Sequence, residues 1–184
     1  MLRVLAVSSL IVLGAAQGSS NVAQCVRNEG ELPLSTFVRG CQGSPCLLPQ
    51  NEELVIDMVF KAPRLITEMR TLATVFMGIL PIIFPLEENS VTCNFLTNTY
   101  CPIVEDTIVH YILRLPISAV FPIGTSVIVE FHVVDLTTSP NQPLLCIRVP
   151  VSIVPPNNNL YPTTRGILEK GGLWASDNNT LIEQ

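Results

Sequence analysis

The sequence is poor in charge and poor in rings. Of its 184 residues only 14% are charged and 6% aromatic, with one tryptophan, three tyrosines and seven phenylalanines. Disordered chains are rich in charge and poor in apolar residues, so low charge with 48% apolar content argues for a packed core. Positive charge is the scarcer sign: 10 Lys+Arg face 15 Asp+Glu, a net charge of -5. That balance counts against nucleic acid as a partner, because displacing counterions from phosphates needs a positive surface. Histidine is almost missing. His110 and His132 sit in neither a serine elbow nor a metal-ligand spacing. The carboxylate pairs Glu52–Glu53, Glu87–Glu88 and Glu105–Asp106 all flank turn signals, where solubility explains them better than acid–base work. No enzyme and no cofactor are expected. Residues 71–86 form a long uncharged run, but it is broken by Pro81 and falls short of the roughly 20 residues of a spanning helix. Proline, by contrast, is in excess at 15 residues, which disfavours long helices and a helical bundle.

The N-terminus reads as a targeting segment. Arg3 precedes an apolar run over residues 4–13, followed by the small residues Gly14, Ala15 and Ala16. A secretory signal over 1–16 is expected, with cleavage as late as residue 18, leaving a mature protein outside the cytoplasm. All six cysteines lie beyond it: Cys25, Cys41, Cys46, Cys93, Cys101 and Cys146. An even count in a secreted chain reads as three disulfides, for which fifteen connectivities exist. Cys41 and Cys46 flank a short loop, as do Cys93 and Cys101, which suggests two local staples and leaves Cys25 with Cys146. Zinc fits poorly, since neither the spacings nor the oxidising compartment suit a tetrahedral site.

Period-two alternation marks the strands. Over 54–61, Leu54, Ile56, Met58 and Phe60 share one face. Over 127–135, Val127, Val129, Phe131 and Val133 share a face, while Glu130 and His132 are expected on a solvated one. Ile147, Val149, Val151 and Ile153 alternate with Arg148, Pro150 and Ser152, and Pro150 suggests an edge or a bulge. Further strands are expected at 34–39, 72–79 and 107–115, with turns at Pro63, 87–90 and 139–143. Seven or so short strands without helical period point to a sandwich of two sheets. After residue 154 a tail rich in Asn, Gly and Thr is expected to be disordered through 184. Its apolar residues gather at Ile167–Leu168 and Leu173–Trp174, and it holds the one glycosylation sequon, at Asn178.

Several ordered strings carry a family resemblance: Gly40-Cys41-x4-Cys46-Leu47, Phe84-Pro85 before Cys93, Cys101-Pro102-Ile103, Leu115-Pro116-Ile117 with Phe121-Pro122, and Leu145-Cys146-x2-Val149-Pro150-Val151-x-Ile153. Together they resemble the ML (myeloid differentiation factor 2-related lipid-recognition) family, nearest its Niemann–Pick type C2-like members and the group 2 mite allergens. The resemblance covers 25–154, and the lipid-binding domain is set at 17–154. It implies an all-β, immunoglobulin-like β-sandwich of two antiparallel sheets with an apolar cavity between them. It also implies disulfides pairing the first cysteine with the sixth, the second with the third and the fourth with the fifth. Mouth residues of sterol-binding members map onto Phe84, Ile117, Phe121 and Pro122. Such members often carry Tyr where Phe121 stands. Lysosomal members carry a sequon where this chain reads Asp57-Met58-Val59, so secretion is the expectation and the lysosomal lumen the alternative.

The pattern alone suits an ordinary filled core; the resemblance tips it towards a cavity, lined by Met58, Phe60, Val129 and Phe131 besides the mouth residues. The function expected is non-enzymatic carriage of a sterol, fatty acid or similar apolar ligand, by a monomer that hands it to a membrane or receptor. A lipid-presenting co-receptor of innate immunity and a chemosensory carrier are the alternatives.

Overall fold

The computed structural model describes residues 21–156. The expected signal segment, the glycosylation site Asn178 and nearly all of the expected tail lie outside the described residues.

Among the described residues, nine strands form two sheets. In chain order they are β1 (Ala23–Gln24), β2 (Ser35–Val38), β3 (Cys46–Pro49), β4 (Glu53–Lys61), β5 (Met69–Met77), β6 (Leu80–Phe84), β7 (Ile108–Pro116), β8 (Ser126–Asp135) and β9 (Gln142–Val154). Two 3-10 turns, Glu87–Ser90 and Thr92–Phe95, bridge β6 to β7. One sheet runs β1-β9-β8-β5-β6 and the other β2-β4-β7. These ladders are antiparallel, and β3 joins the free part of β9 in parallel.

The period-two segments become the long central strands because each has one face to bury. Leu54, Ile56, Met58 and Phe60 of β4 register with Leu115, Leu113, Tyr111 and Val109 of β7, and all eight are buried. Opposite them stand Val129, Phe131 and Val133 of β8 and Leu145, Ile147, Val149, Val151 and Ile153 of β9, also buried. Pro150 is accommodated by a local gap. Strand β1 reaches Arg148 and β3 begins at Val151, so at Pro150 the strand has a ladder neighbour on the β8 side only. A proline without an N–H fits there. The register irregularity of this pair falls elsewhere, at Val133/Val134.

Disulfides join Cys25 to Cys146, Cys41 to Cys46 and Cys93 to Cys101. The first lashes the N-terminal segment across the outside of the larger sheet. That segment overturns one expectation: Glu130 is not solvated but fully buried. Its carboxylate accepts hydrogen bonds from the backbone N–H groups of Val26 (2.8 Å), Arg27 (3.3 Å) and Asn28 (3.0 Å) and from the Asn28 side-chain amide (2.9 Å). Arg148 lies 3.7 Å away. Burial would push this carboxyl up, but the bonds from Val26, Asn28 and Arg27 outweigh it and hold it below its ordinary range. The carboxylate lies within 4.8 Å of the sulfurs of Cys25 and Cys146, a trio of metal-ligand types whose thiols are consumed by the disulfide. Gly30 completes the dock. Its φ of +138° brings the chain so close to β9 that a Cβ would stand 2.5 Å from the Leu145 carbonyl carbon.

Candidate functional site

The two ends of the sandwich differ. At one end Met58, Ile66, Met69, Ile103, Val109 and Tyr111 are each 1% exposed or less and fill the space between the sheets. The Tyr111 hydroxyl is satisfied by the Thr71 hydroxyl at 2.7 Å, which also meets that of Thr92 at 2.8 Å. Burial pushes the Tyr111 phenol well above its ordinary pKa. At the other end the sheets part around a cavity of about 320 Å³.

The cavity is walled by Leu48, Leu54, Val75, Leu115, Pro116, Ile117, Val127, Val129, Phe131, Val151 and Ile153, with Met77, Ile82, Phe84, Phe121 and Pro122 towards the opening. Among the described residues Thr125 supplies the one hydroxyl of the lining, and no charged residue takes part. Most of the wall comes from branched aliphatic residues on the inward faces of strands. Their short side chains do not meet across the gap, which is why an apolar interior coexists with a void. Rings are confined to the floor, at Phe131, and to the entrance. There the half-buried Phe84 and Phe121 face each other with centroids 5.8 Å apart and planes tilted by 46°. Each is followed by a proline, which ends strand pairing and turns the chain at the rim.

The loop 117–125, between β7 and β8, carries half of this entrance and is pinned from beneath. The Asn51 N–H donates to the Ile117 carbonyl (2.7 Å), and the Gly124 N–H to that of Ile153 (2.8 Å). The buried Gln50 amide donates to the carbonyls of Ala119 and Phe121. The site is therefore a rigid apolar bowl with two aromatic side chains across its mouth.

A protein-family model described as ML domain matches residues 19–153. The chain belongs to the ML-domain family. It is 27% identical over 119 residues to the NPC intracellular cholesterol transporter 2 of Bos taurus, spanning 63% of this chain and 73% of that protein. To the protein of the same name in Danio rerio it is 28% identical over 120 residues, spanning 64% and 74%. Among solved structures, a Niemann-Pick type C2 protein from the Japanese carpenter ant superimposes with a TM-score of 0.61 at 16% identity. That match covers 71% of this chain and 97% of the ant protein, and it supports the fold.

Within this ML domain the structure brings together six of the eight expected ligand contacts: Phe84, Ile117, Phe121, Pro122, Val129 and Phe131 all line the cavity. Ile117 is 8% exposed and belongs to the wall rather than the rim. Met58 and Phe60 lie elsewhere. They share the inward face of β4 with the lining residue Leu54, but four and six residues further on, roughly 13 and 20 Å along the strand. Met58 packs in the filled end, and Phe60 borders a separate cleft with Gly30 and Leu144. Alternation identifies the inward face of a strand; it does not say which part of that face meets a void.

The histidines stand away from the cavity. His110 is exposed on the outer face of β7. His132 lies on the outer face of β8, half-covered, with a buried Nδ1 that has no hydrogen-bond partner among the described residues. Burial lowers its pKa against the pull of Glu130. Gln50 was missed by pattern. A buried glutamine immediately after a short strand carries no periodic signal.

Proposed function

We propose that this ML domain is a secreted, non-enzymatic carrier that holds one sterol, fatty acid or similar apolar ligand between its sheets. The observation that carries the reading is the cavity itself: about 320 Å³, walled by aliphatic side chains and open at one end between Phe84 and Phe121. Empty apolar space inside a protein forgoes dispersion contacts, and an apolar ligand restores them. Burying a few hundred Å² of ligand surface supplies on the order of 10 kcal/mol gross before ordering costs, enough for retention in water. The volume lies at the low end for ligand pockets, which suits a single apolar molecule better than a lipid of several chains. The lack of any charged lining residue likewise disfavours a ligand whose phosphates must be met at the rim. The names of the Bos taurus and Danio rerio relatives support a sterol as the first ligand to try. Phe121 offers the ring without a hydroxyl, so a bound sterol would be gripped by shape and apolar contact.

Secretion is supported by the apolar segment at the N-terminus and by the three disulfides. Hand-off to a membrane or receptor would proceed through the mouth between Phe84 and Phe121. Titration with dehydroergosterol and with a fluorescent fatty acid tests the reading. Saturable one-to-one binding of either, competed by its unlabelled counterpart, is expected; absence of both would overturn it.

A further inference from the structure

The cavity crosses the larger sheet from one edge to the other. That sheet contributes Ile82 from β6, Val75 from β5, Val127 from β8, Ile153 from β9 and Leu48 from β3 to the lining. These five strands lie side by side in that order. Strand spacings of about 4.8 Å make the trough roughly 19 Å long, the length of an extended chain of about sixteen carbons. One end is the mouth at β6. The other stops at Leu48, Leu54 and Ile117, all of them buried.

Those three side chains also border a cleft of about 130 Å³ between β3 and the start of β4, completed by Arg39, Gly40, Leu47, Pro49, Glu52 and Glu53. The wall between cavity and cleft is therefore one side chain thick. The chemistry differs at the two ends of the trough. Around the mouth Met77, Ile79, Val120 and Ile123 are exposed, and residues 71–86 and 115–129 contain no charge. The cleft is charged. Asp57 accepts from the Arg39 guanidinium at 2.8 and 3.0 Å, and Glu53 accepts from Arg114 at 2.8 Å. With Glu52 counted, this group carries one negative charge in excess.

We propose that this cleft anchors the polar end of a single-chain ligand. A long-chain primary alcohol or amine lies along the cavity, passes between Leu48, Leu54 and Ile117, and sets its hydroxyl or ammonium beside Glu52. The assignment rests on the carrier reading and narrows its ligand class. The hydrocarbon end matches the apolar mouth. A polar end taken out of water must find partners, and the cavity offers only Thr125. Charge then selects among heads: a hydrogen-bond donor is favoured, and a carboxylate is opposed, since the Nε and one Nη of Arg39 already bind Asp57. Changes of rotamer at Leu48 and Leu54 admit a methylene chain, whereas the fused rings of a sterol stop at the wall.

Hexadecanol, isotope-labelled at the carbon bearing the hydroxyl, locates its two ends in the full mature chain by nuclear magnetic resonance. Nuclear Overhauser contacts are expected from the protons of that carbon to the Gly40 amide and the Leu47 methyls, and from the terminal methyl to the Phe84 ring. Contacts of the labelled end with Phe84 and Phe121 instead would overturn the subsite and leave the carrier reading intact. Glu52→Gln removes the excess charge, so it should weaken hexadecylamine several-fold without weakening palmitate. Equal loss of both, or no change in either, would overturn the assignment, because a merely structural role acts on both ligands alike. If palmitate or dehydroergosterol binds and hexadecanol does not, the subsite fails alone. If none of the three binds the folded chain, the carrier reading fails and the subsite with it.

Discussion

Single side chains in this domain divide between those that hold the fold and those that face the void. Glu130 is of the first kind, fully buried and accepting from three consecutive backbone N–H groups. Glu130→Ala orphans those donors, and a loss of about 3 kcal/mol in urea unfolding is expected. The pH dependence follows from the same residue and its neighbour. A carboxyl held below its ordinary pKa contributes stability that is complete above the unfolded value and lost as pH falls through the folded one. A histidine whose pKa burial has lowered acts in the same direction, from about pH 6.5 downward. Melting temperature should therefore drop on acidification, and less so in His132→Gln; an unchanged slope in that variant would contradict the role given to His132. Phe84 and Phe121 are of the second kind. Phe84→Ala and Phe121→Ala should each weaken ligand binding by roughly 5- to 30-fold, the worth of about 1–2 kcal/mol of ring contact, while leaving the melting transition cooperative. The sequence made these two rings legible through their prolines. It hid the burial of Glu130, because alternation placed that side chain on the outer face and nothing local announced that residues 26–28 would cover it.

At the level of elements, legibility followed burial geometry. Strands β4, β7, β8 and β9 have one face in the core and alternate accordingly, so their positions could be read within a few residues. Three short strands could not, of which β1, at two residues, is too brief to alternate. Strand β6 reads Leu-Pro-Ile-Ile-Phe, without alternation, because its residues sit at an exposed edge and a rim. Strand β3 is four residues long and pairs in parallel with β9, a partner about a hundred residues away. The pinned loop 117–125 is where an element sets function. Gln50→Ala removes the amide that holds the Ala119 and Phe121 carbonyls, and stopped-flow displacement should show faster ligand release with little change in secondary structure. The Cys25–Cys146 bond ties ends separated by 121 residues, which chain entropy values at about 5 kcal/mol. The paired Cys25→Ser/Cys146→Ser variant should lose stability of that order in denaturant unfolding, and more than a variant lacking Cys93–Cys101, whose loop spans only 8.

The whole molecule is a sandwich filled at one end and hollow at the other. Large side chains, with Tyr111 anchored to Thr71, close the first end, and branched aliphatics that fail to meet leave the second open. Composition gave a hint of this, since few rings were present to fill the space between two sheets. Which end would be hollow was not legible, and Met58 and Phe60 were accordingly expected at a cavity they do not reach. The asymmetry also explains why the uncharged stretches of the sequence gather at one pole, around the mouth. The central claim is that the hollow end carries an apolar ligand. The most direct measurement is to secrete the mature chain from a eukaryotic host, purify it without detergent and extract it with organic solvent for mass spectrometry. A sterol or fatty acid recovered in near one-to-one proportion with protein, and lost from a Val129→Trp variant that fills the cavity, is the expected result. An empty extract from a folded protein that also takes up no added sterol or fatty acid would contradict it.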